Sequence, residues 1–271
     1  MTASGKNFLT FGILNVTPDS FSDGGLYTKP EDALEKALQL FEDGADFVDA
    51  GAESTKPGAQ MTPELEEWRR LEPFLQLANE RGLLPRLSID TMKFTIMKRA
   101  AKMGAAFINC VGPIPEEHEL KELIGIKPDL GFVATHMHGV PETMQLTPLG
   151  PRSAKNRVSS YFENCLEELL KSGFRPEKIF LDPGIGFGKS DAANLTLLAN
   201  THHWAKTFNL AIGVSRKGFI GRLFGGESKK DRDALSKAIE TSAVFSGAKM
   251  IRTHDVRGLA KISSVIEEAF A

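Results

Sequence analysis

Residues 30–54 read PEDALEKALQLFEDGADFVDAGAES, and this order of side chains predicts a helix, a stop and a short strand. Ala33, Leu34, Ala37, Leu38 and Phe41 recur at helical spacing and form one apolar stripe. Pro30 suits a first helical turn, where a missing N–H costs nothing, and Gly44 suits the turn that ends the helix. The β-type run that follows, FVDAGAES, carries two acids, Asp49 and Glu53, toward its far end.

The same order recurs along the chain. Strand-type runs occur at FGILNV (11–16), FVDAGAES (47–54), RLSID (86–90), AFINCV (106–111), GFVATHM (131–137), IFLDPG (179–184), AIGVSR (211–216) and MIRTHD (250–255). Helix-then-glycine patterns feed strands at TIMKRAAKMGA (95–105), YFENCLEELLKSGF (161–174) and AIETSAVFSGAK (238–249). A helix between successive strands implies parallel pairing. Eight such units in 271 residues match a (β/α)8 TIM barrel, which typically takes about 250. No Pro/Ser-rich linker divides the chain, so residues 1–271 are expected to form a single α/β domain. The alternative, an open doubly wound sheet, uses fewer strands and gathers its chemistry at one crevice.

Polar and ionisable residues instead follow almost every strand: Asn15, Asp49, Glu53, Asp90, Asn109, His136, His138, Asp182, Ser215, Arg216, Lys217, Arg252, His254 and Asp255. In a barrel these strand ends converge on one mouth. Gathering so many charges for stability alone would be costly, which favours a binding site.

Composition narrows the ligands. A formal net charge of −2 with interspersed signs gives no electrostatic case for nucleic acid, so any anion must be held locally. No apolar run approaches the roughly 18 residues of a membrane helix, and the first residues lack the apolar core of a signal peptide. A cytoplasmic location without membrane attachment is therefore expected. Cys110 and Cys165, far apart and without metal spacing, suggest neither a disulfide framework nor a zinc site. The sequon at Asn15 is followed by Pro18 and lacks a secretory signal, so it is discounted.

Several motifs have two readings. PGIGFGKS (183–190) resembles a phosphate-cradling loop, but Pro183 stands where that pattern requires Gly. A tight strand-to-helix turn that lets a ligand approach the backbone fits better, with Phe187 shaping the pocket. His136 and His138 in THMH suggest half a metal site by their spacing, yet no third ligand follows; one histidine hydrogen-bonding in the mouth is the simpler reading. His202 and His203 fall in a helix and read as surface or packing residues. Arg216 and Lys217 after the seventh strand, with Arg252 and His254 on the eighth, favour an anionic ligand, because barrels commonly bind phosphate there. The competing reading pairs these cations with Asp182 or Asp255.

NVTPDSFSDGG, GAESTKPGA, SIDTMK, IN, MHG, LDPGIGFGK, SRK and IRTHD, in this order and at these spacings, closely resemble the motifs of the dihydropteroate synthase family of folate biosynthesis. The likeness runs from about Phe11 to Val256, essentially the whole chain. It implies a Mg²⁺-using, sulfonamide-targeted transferase, usually a homodimer. The enzyme condenses 6-hydroxymethyl-7,8-dihydropterin diphosphate with p-aminobenzoate to give 7,8-dihydropteroate and diphosphate. By motif position, Asp90, Asn109, Asp182 and Lys217 hold the pterin, and Met137 and Phe187 pack around its rings. Asn15, Thr55, Lys56, Arg252 and His254 meet the diphosphate, with Mg²⁺ near Asn15. Ser215 and Lys217 receive the p-aminobenzoate carboxylate, and Pro57 and Phe187 flank its ring.

The implied mechanism is C–O cleavage followed by attack of the arylamine on a pterin-methyl cation. Catalysis then rests on Asp23, Lys217, Arg252 and His254, with no side-chain nucleophile. TPDSFSDGG (17–25) is too long and polar for a simple turn and reads as a lid hinged at Gly24-Gly25, and the resemblance implies that Asp23 faces the reacting centre or its cationic partner. On this partition, removing Arg252 costs diphosphate and spares free pterin, and deleting Asp19–Asp23 abolishes turnover and spares pterin binding.

The chain departs from the family at Lys56, usually Arg, and at Cys110, usually Asp. It also departs at Ala52, usually Gly, and at Gly218, often Ser. Lys56 keeps charge but loses the planar fork that grips phosphate. Two alternatives follow: a pterin enzyme that transfers the methyl of methyltetrahydrofolate, or a silent paralogue that only binds pterin.

Overall fold

In the computed structural model, which describes residues 7–17, 29–225 and 228–270, eight strands run parallel in one sheet ordered β6-β5-β4-β3-β2-β1-β8-β7. They are β1 (Leu9–Asn15), β2 (Phe47–Gly51), β3 (Leu87–Asp90), β4 (Phe107–Val111), β5 (Gly131–Thr135), β6 (Ile179–Asp182), β7 (Ala211–Gly213) and β8 (Met250–Thr253). A bridge between Leu181 and Leu210, with Leu181 N donating to Asn209 O at 2.9 Å, brings β6 to β7 and closes the ring. The (β/α)8 barrel expected from the recurring pattern is the fold observed. Every strand-type run becomes a strand.

Helices α1 (Pro30–Glu42), α2 (Glu64–Glu80), α3 (Phe94–Met103), α4 (Glu117–Ile126), α5 (Pro151–Lys171), α6 (Asp191–Ala199), α7 (Thr201–Trp204), α8 (Gly218–Phe224), α9 (Lys229–Phe245) and α10 (Val256–Phe270) surround the strands. In α1 the inward stripe is Ala33, Leu34, Ala37 and Leu40. Leu38, read from sequence as part of that stripe, is 37% exposed. A drift of 100° per residue carries it past the edge of the buried face. Helix α5 starts at Pro151, ten residues before the segment recognised in sequence, because its first turns are largely polar.

Two apolar regions result. The larger lies between strands and helices. The smaller fills the barrel interior with Phe11, Phe107, Val133, Phe180, Ala211 and Met250, capped by Leu9 and Phe47. Its rings meet edge-on or tilted, with Phe47 and Phe107 centroids 4.9 Å apart. Gly131 on β5 makes room for this plug, since a Cβ there would stand 2.1 Å from the Phe107 ring.

Candidate active site

Each polar residue of the barrel's interior layer stands two positions after a plug residue on the same strand. Asp49 follows Phe47, Asn109 follows Phe107, Thr135 follows Val133, Asp182 follows Phe180 and Arg252 follows Met250. Side chains alternate across a strand, so this layer points inward just above the plug.

Arg252 organises it. Its Nε donates to Asp49 Oδ2 at 2.9 Å, and its Nη2 donates both to that oxygen and to Asp90 Oδ2, the latter at 3.0 Å. Asn109 Nδ2 donates to Asp49 Oδ2 at 3.1 Å, and Asn109 Oδ1 accepts from Thr135 Oγ1 at 3.3 Å. Burial alone would disfavour the guanidinium charge, but Asp49, Asp90 and Asp182 outweigh it and hold the pKa above its ordinary value. Burial pushes the Asp90 carboxyl up to about 7, with Arg252 pulling the other way and Asp49 adding to the rise.

Asp182 is buried at the end of β6, where Oδ1 accepts from Gly184 N at 2.7 Å. Burial raises its pKa against the pull of Lys217 and Arg252. The loop beyond it requires glycine: Gly184 has φ +64°, and a Cβ would stand 1.8 Å from His136 O. Lys189 fills the loop from within, its Nζ donating to Gly184 O at 2.8 Å, Phe187 O at 2.9 Å and His136 O at 3.2 Å. The lysine that makes the motif look phosphate-binding is thus bonded to the loop's own carbonyls. Lys217 approaches from the loop after β7; its Nζ donates to Ile185 O and lies 4.0 Å from the Phe187 ring centroid. Burial lowers it to about 8, with Asp182 opposing.

At the rim, Ser215 Oγ accepts from His254 N at 3.1 Å and lies 3.0 Å from His254 Nδ1. Burial, with Arg216 adding to it, lowers the His254 imidazole to about 3, so it is neutral at pH 7. Arg216 turns away from the mouth and forks onto Asp233, with Nε and Nη2 at 2.7 and 2.8 Å from its two oxygens. These facts correct the charge count read from SRK and IRTHD. Arg216 is compensated by Asp233, Arg252 by Asp49 and Asp90, and His254 is uncharged. The direct ion pairs of Arg216 and Arg252 are not with Asp182 or Asp255, although Asp182 adds to the field on Arg252 and Lys217.

The loop after β2 rests on an ionic support. Lys93 Nζ donates to Glu53 Oε2 at 2.8 Å and Glu67 Oε2 at 2.5 Å, while Thr62 N donates to Glu53 Oε1 at 2.5 Å. Gly58 N donates to Pro141 O at 2.8 Å, tying this loop to the one after β5. Thr55 is half-buried, and Lys56 and Pro57 are exposed. Asn15 ends β1 with an exposed side chain. Met137 is half-buried, its Cε 3.3 Å from where a Gly112 Cβ would stand. Asp23 and the Gly24-Gly25 pair lie outside the described residues.

His136 and His138 do not share a strand face, because β5 ends at Thr135. His136 turns to the helix layer, edge-on to Tyr161 at 5.2 Å, so it does not reach into the mouth. His202 and His203 are exposed, as expected. Cys110 is buried in the outer core, its Sγ 3.3 Å from Pro113 O, and burial raises its thiol pKa. It therefore points away from Asn109 and the inner layer.

Lys189, Lys93 and Glu67 were not singled out from sequence as site residues, and Asp49 was named among the polar strand ends without a role. Asp49 was legible two positions after Phe47. Glu67 was legible as an acid in the stripe it shares with Leu71, Phe74, Leu75 and Ala78 on α2. Among the described residues, no group of three or more His, Cys, Asp or Glu is placed to hold a metal. The mouth instead offers carboxylates, an amide, a lysine and an aromatic ring around one space, a set suited to a flat heterocycle with donors and acceptors on its edge.

Comparison with known proteins agrees. Residues 11–254 match the family model described as "Pterin binding enzyme". A dihydropteroate synthase of Neisseria meningitidis serogroup C is 40% identical over 253 residues, 92% of this chain and 88% of that protein. The Xanthomonas albilineans dihydropteroate synthase, solved with 4-aminobenzoic acid, superposes with a TM-score of 0.87 at 35% identity, covering 97% of this chain and 93% of that one. The same enzyme in complex with 7,8-dihydropteroate gives a TM-score of 0.83 at 33% identity, covering 97% and 94%. The chain belongs to the pterin-binding enzyme family, among its dihydropteroate synthases.

Proposed function

We propose that this mouth condenses 6-hydroxymethyl-7,8-dihydropterin diphosphate with p-aminobenzoate, releasing diphosphate and 7,8-dihydropteroate. The observation that carries the assignment of roles is the buried layer of Asp49, Asn109, Asp182 and Arg252, with Asp90 and Lys217 at its edge. A pterin's amino-pyrimidine edge brings N–H donors to Asp182 and Asp90, and its carbonyl and ring nitrogens take donors from Asn109 and Lys217. Phe187 and Met137 bound the ring faces. Arg252 Nη1, beside Gly213, and the neutral His254 face the departing diphosphate with Asn15, Thr55 and Lys56. Ser215 and Lys217 meet the p-aminobenzoate carboxylate, flanked by Phe187 and Pro57.

Mg²⁺ fits this arrangement in one way. The exposed Asn15 carboxamide offers a single neutral oxygen, which suits an ion held chiefly by substrate phosphates and water. When bound, Mg²⁺ neutralises diphosphate charge. The chain's own groups hold the pterin plane, orient its methylene toward the amine and stabilise the negative charge that develops on the leaving group. No side-chain nucleophile takes part.

Leu195 on α6, Leu223 and Phe224 on α8 and Phe245 on α9 are exposed apolar residues on neighbouring helices, which supports a homodimer through this side. No described helix is long and apolar enough to cross a membrane. Two buried, unpaired cysteines agree with a reducing, cytoplasmic setting. The 40% identity to a dihydropteroate synthase, across 92% of the chain, argues against the methyl-transferring alternative. The silent-binder alternative is decided by assay. Purified protein with the pterin diphosphate, p-aminobenzoate and Mg²⁺ is expected to release diphosphate, and turnover no greater than that of Lys217→Ala overturns the reading.

A further inference from the structure

The described buried residues of α9 are Ser236, Lys237, Glu240 and Ala243, three of them polar. On α1 the corresponding face is wholly apolar. Helix packing against a barrel needs no ions, and burying an ion pair is at best neutral for stability compared with apolar residues of the same volume. A second role for this face is therefore called for.

Its contacts identify one. Lys237 Nζ donates to Glu240 Oε2 at 2.5 Å and to Thr253 Oγ1 at 2.7 Å. One turn earlier, Asp233 forks onto Arg216, and Ser236 Oγ accepts from Arg216 N at 3.1 Å. Arg216 has φ +59°, a conformation unusual for a residue with a side chain, and these bonds hold it. Asp233, Ser236, Lys237 and Glu240 lie at i, i+3, i+4 and i+7, so one helix face grips the ends of β7 and β8 together. Thr253 stands between Arg252 and His254 in the chain. Alternation along β8 sends Arg252 toward the mouth and Thr253 outward to Lys237, while His254, just past the strand, is placed by its bonds to Ser215 Oγ. Thr253 Oγ1 also accepts from Asp255 N at 3.3 Å, and Asp255 Oδ1 accepts from Gly258 N at 3.0 Å in the first turn of α10.

We propose that Lys237, held by Glu240, is a positioning residue that acts through Thr253 to place Arg252 and His254 against the diphosphate of the substrate. This rests on the diphosphate end proposed above. The helix face substitutes for rigidity that a strand end lacks, because beyond Thr253 no ladder bond fixes the chain.

Thr253→Val keeps the shape of the side chain and removes the hydroxyl; Thr253→Ser keeps the hydroxyl. Isothermal titration with inorganic diphosphate and Mg²⁺ should show Thr253→Val weakened roughly five-fold, the worth of one hydrogen bond, and Thr253→Ser close to wild type. In steady state, Thr253→Val should raise KM for the pterin diphosphate by a similar factor and leave KM for p-aminobenzoate unchanged. Lys237→Met/Glu240→Leu, which removes both charges at once, should stay folded and show the same loss. Equal weakening by the Val and Ser variants, or no weakening by either Thr253→Val or the double variant, overturns the proposal. Wild-type turnover, measured first, decides the proposed reaction separately from this comparison.

Discussion

Arg252 and Asp49, 203 residues apart in the chain, face one another inside the barrel, with Nε 2.9 Å from Oδ2 and both side chains buried. Arg252 also pairs with Asp90, so the cation expected to serve the diphosphate compensates the acids of the pterin pocket. Arg252→Ala would leave Asp49 buried without its charge partner, a change that costs about 3–5 kcal/mol in comparable pairs. The expected result is lower stability on chemical denaturation and weaker binding of pterin as well as diphosphate. This revises the sequence-level partition, in which free pterin was spared; calorimetry with each ligand alone checks it.

Asp182→Asn should weaken pterin binding by about 1.5–3 kcal/mol, because an amide replaces a charged double acceptor with a donor-acceptor pair. Calorimetry against the pterin measures it. Unchanged affinity would remove Asp182 from the pocket.

Lys217 sits at about 8, below the ordinary lysine value, because burial disfavours its charge. It is protonated below that pH and loses its proton as pH rises through it. Turnover per unit of pterin diphosphate at low substrate should therefore decline above pH 8. Lys217→Arg, which stays charged, should lose this alkaline limb even if its overall rate is lower.

His136 is held down to about 3 by burial, and its Nδ1 is buried without a described partner. The unfolded chain takes up a proton near the ordinary histidine value of about 6.5, so the unfolded state binds more protons between these values. Stability from this site is thus full above pH 6.5 and falls as pH drops toward 3. His136→Phe, which keeps the ring against Tyr161, should stabilise the fold by about 1–3 kcal/mol at pH 7 by removing the unpaired nitrogen. The gain in Tm over wild type should widen as the pH is lowered from 6 to 4.

Lys189→Met should remove the ammonium that ties His136 O, Gly184 O and Phe187 O together and release Phe187 and, through Ile185, Lys217. KM for both substrates should rise together, unlike the selective effect of changes at the diphosphate end. Gly184→Ala should be worse, since its Cβ collides with His136 O. Parallel steady-state titrations of the two substrates distinguish these outcomes.

Much of this was legible before any coordinates. Alternating apolar and polar residues in Phe107-Ile108-Asn109 and Phe180-Leu181-Asp182 state both the strand and which residue stands above the plug, since parity is local. Helices ending in glycine imply parallel strands, and eight of them imply a ring whose polar ends converge. Pro183 excludes the phosphate-loop spacing in PGIGFGKS and its glycines point to a turn, and the same parity that puts Asn109 inside puts Cys110 in the outer core.

Charge compensation was not legible in that way. That Arg216 belongs to Asp233, Arg252 to Asp49, Lys93 to Glu53 and Glu67, and Lys189 to three carbonyls depends on distances between elements far apart in the chain. A residue type specifies a charge, but burial and neighbours set whether that charge is present and where it points. His254 illustrates it: a histidine in IRTHD counts as a cation on paper and is a neutral hydrogen-bonding ring once β7 and β8 enclose it. Local alternation along the backbone thus specified the barrel and the membership of its mouth. The electrostatics of the mouth came from desolvation and through-space pairing, which arise when the ring closes.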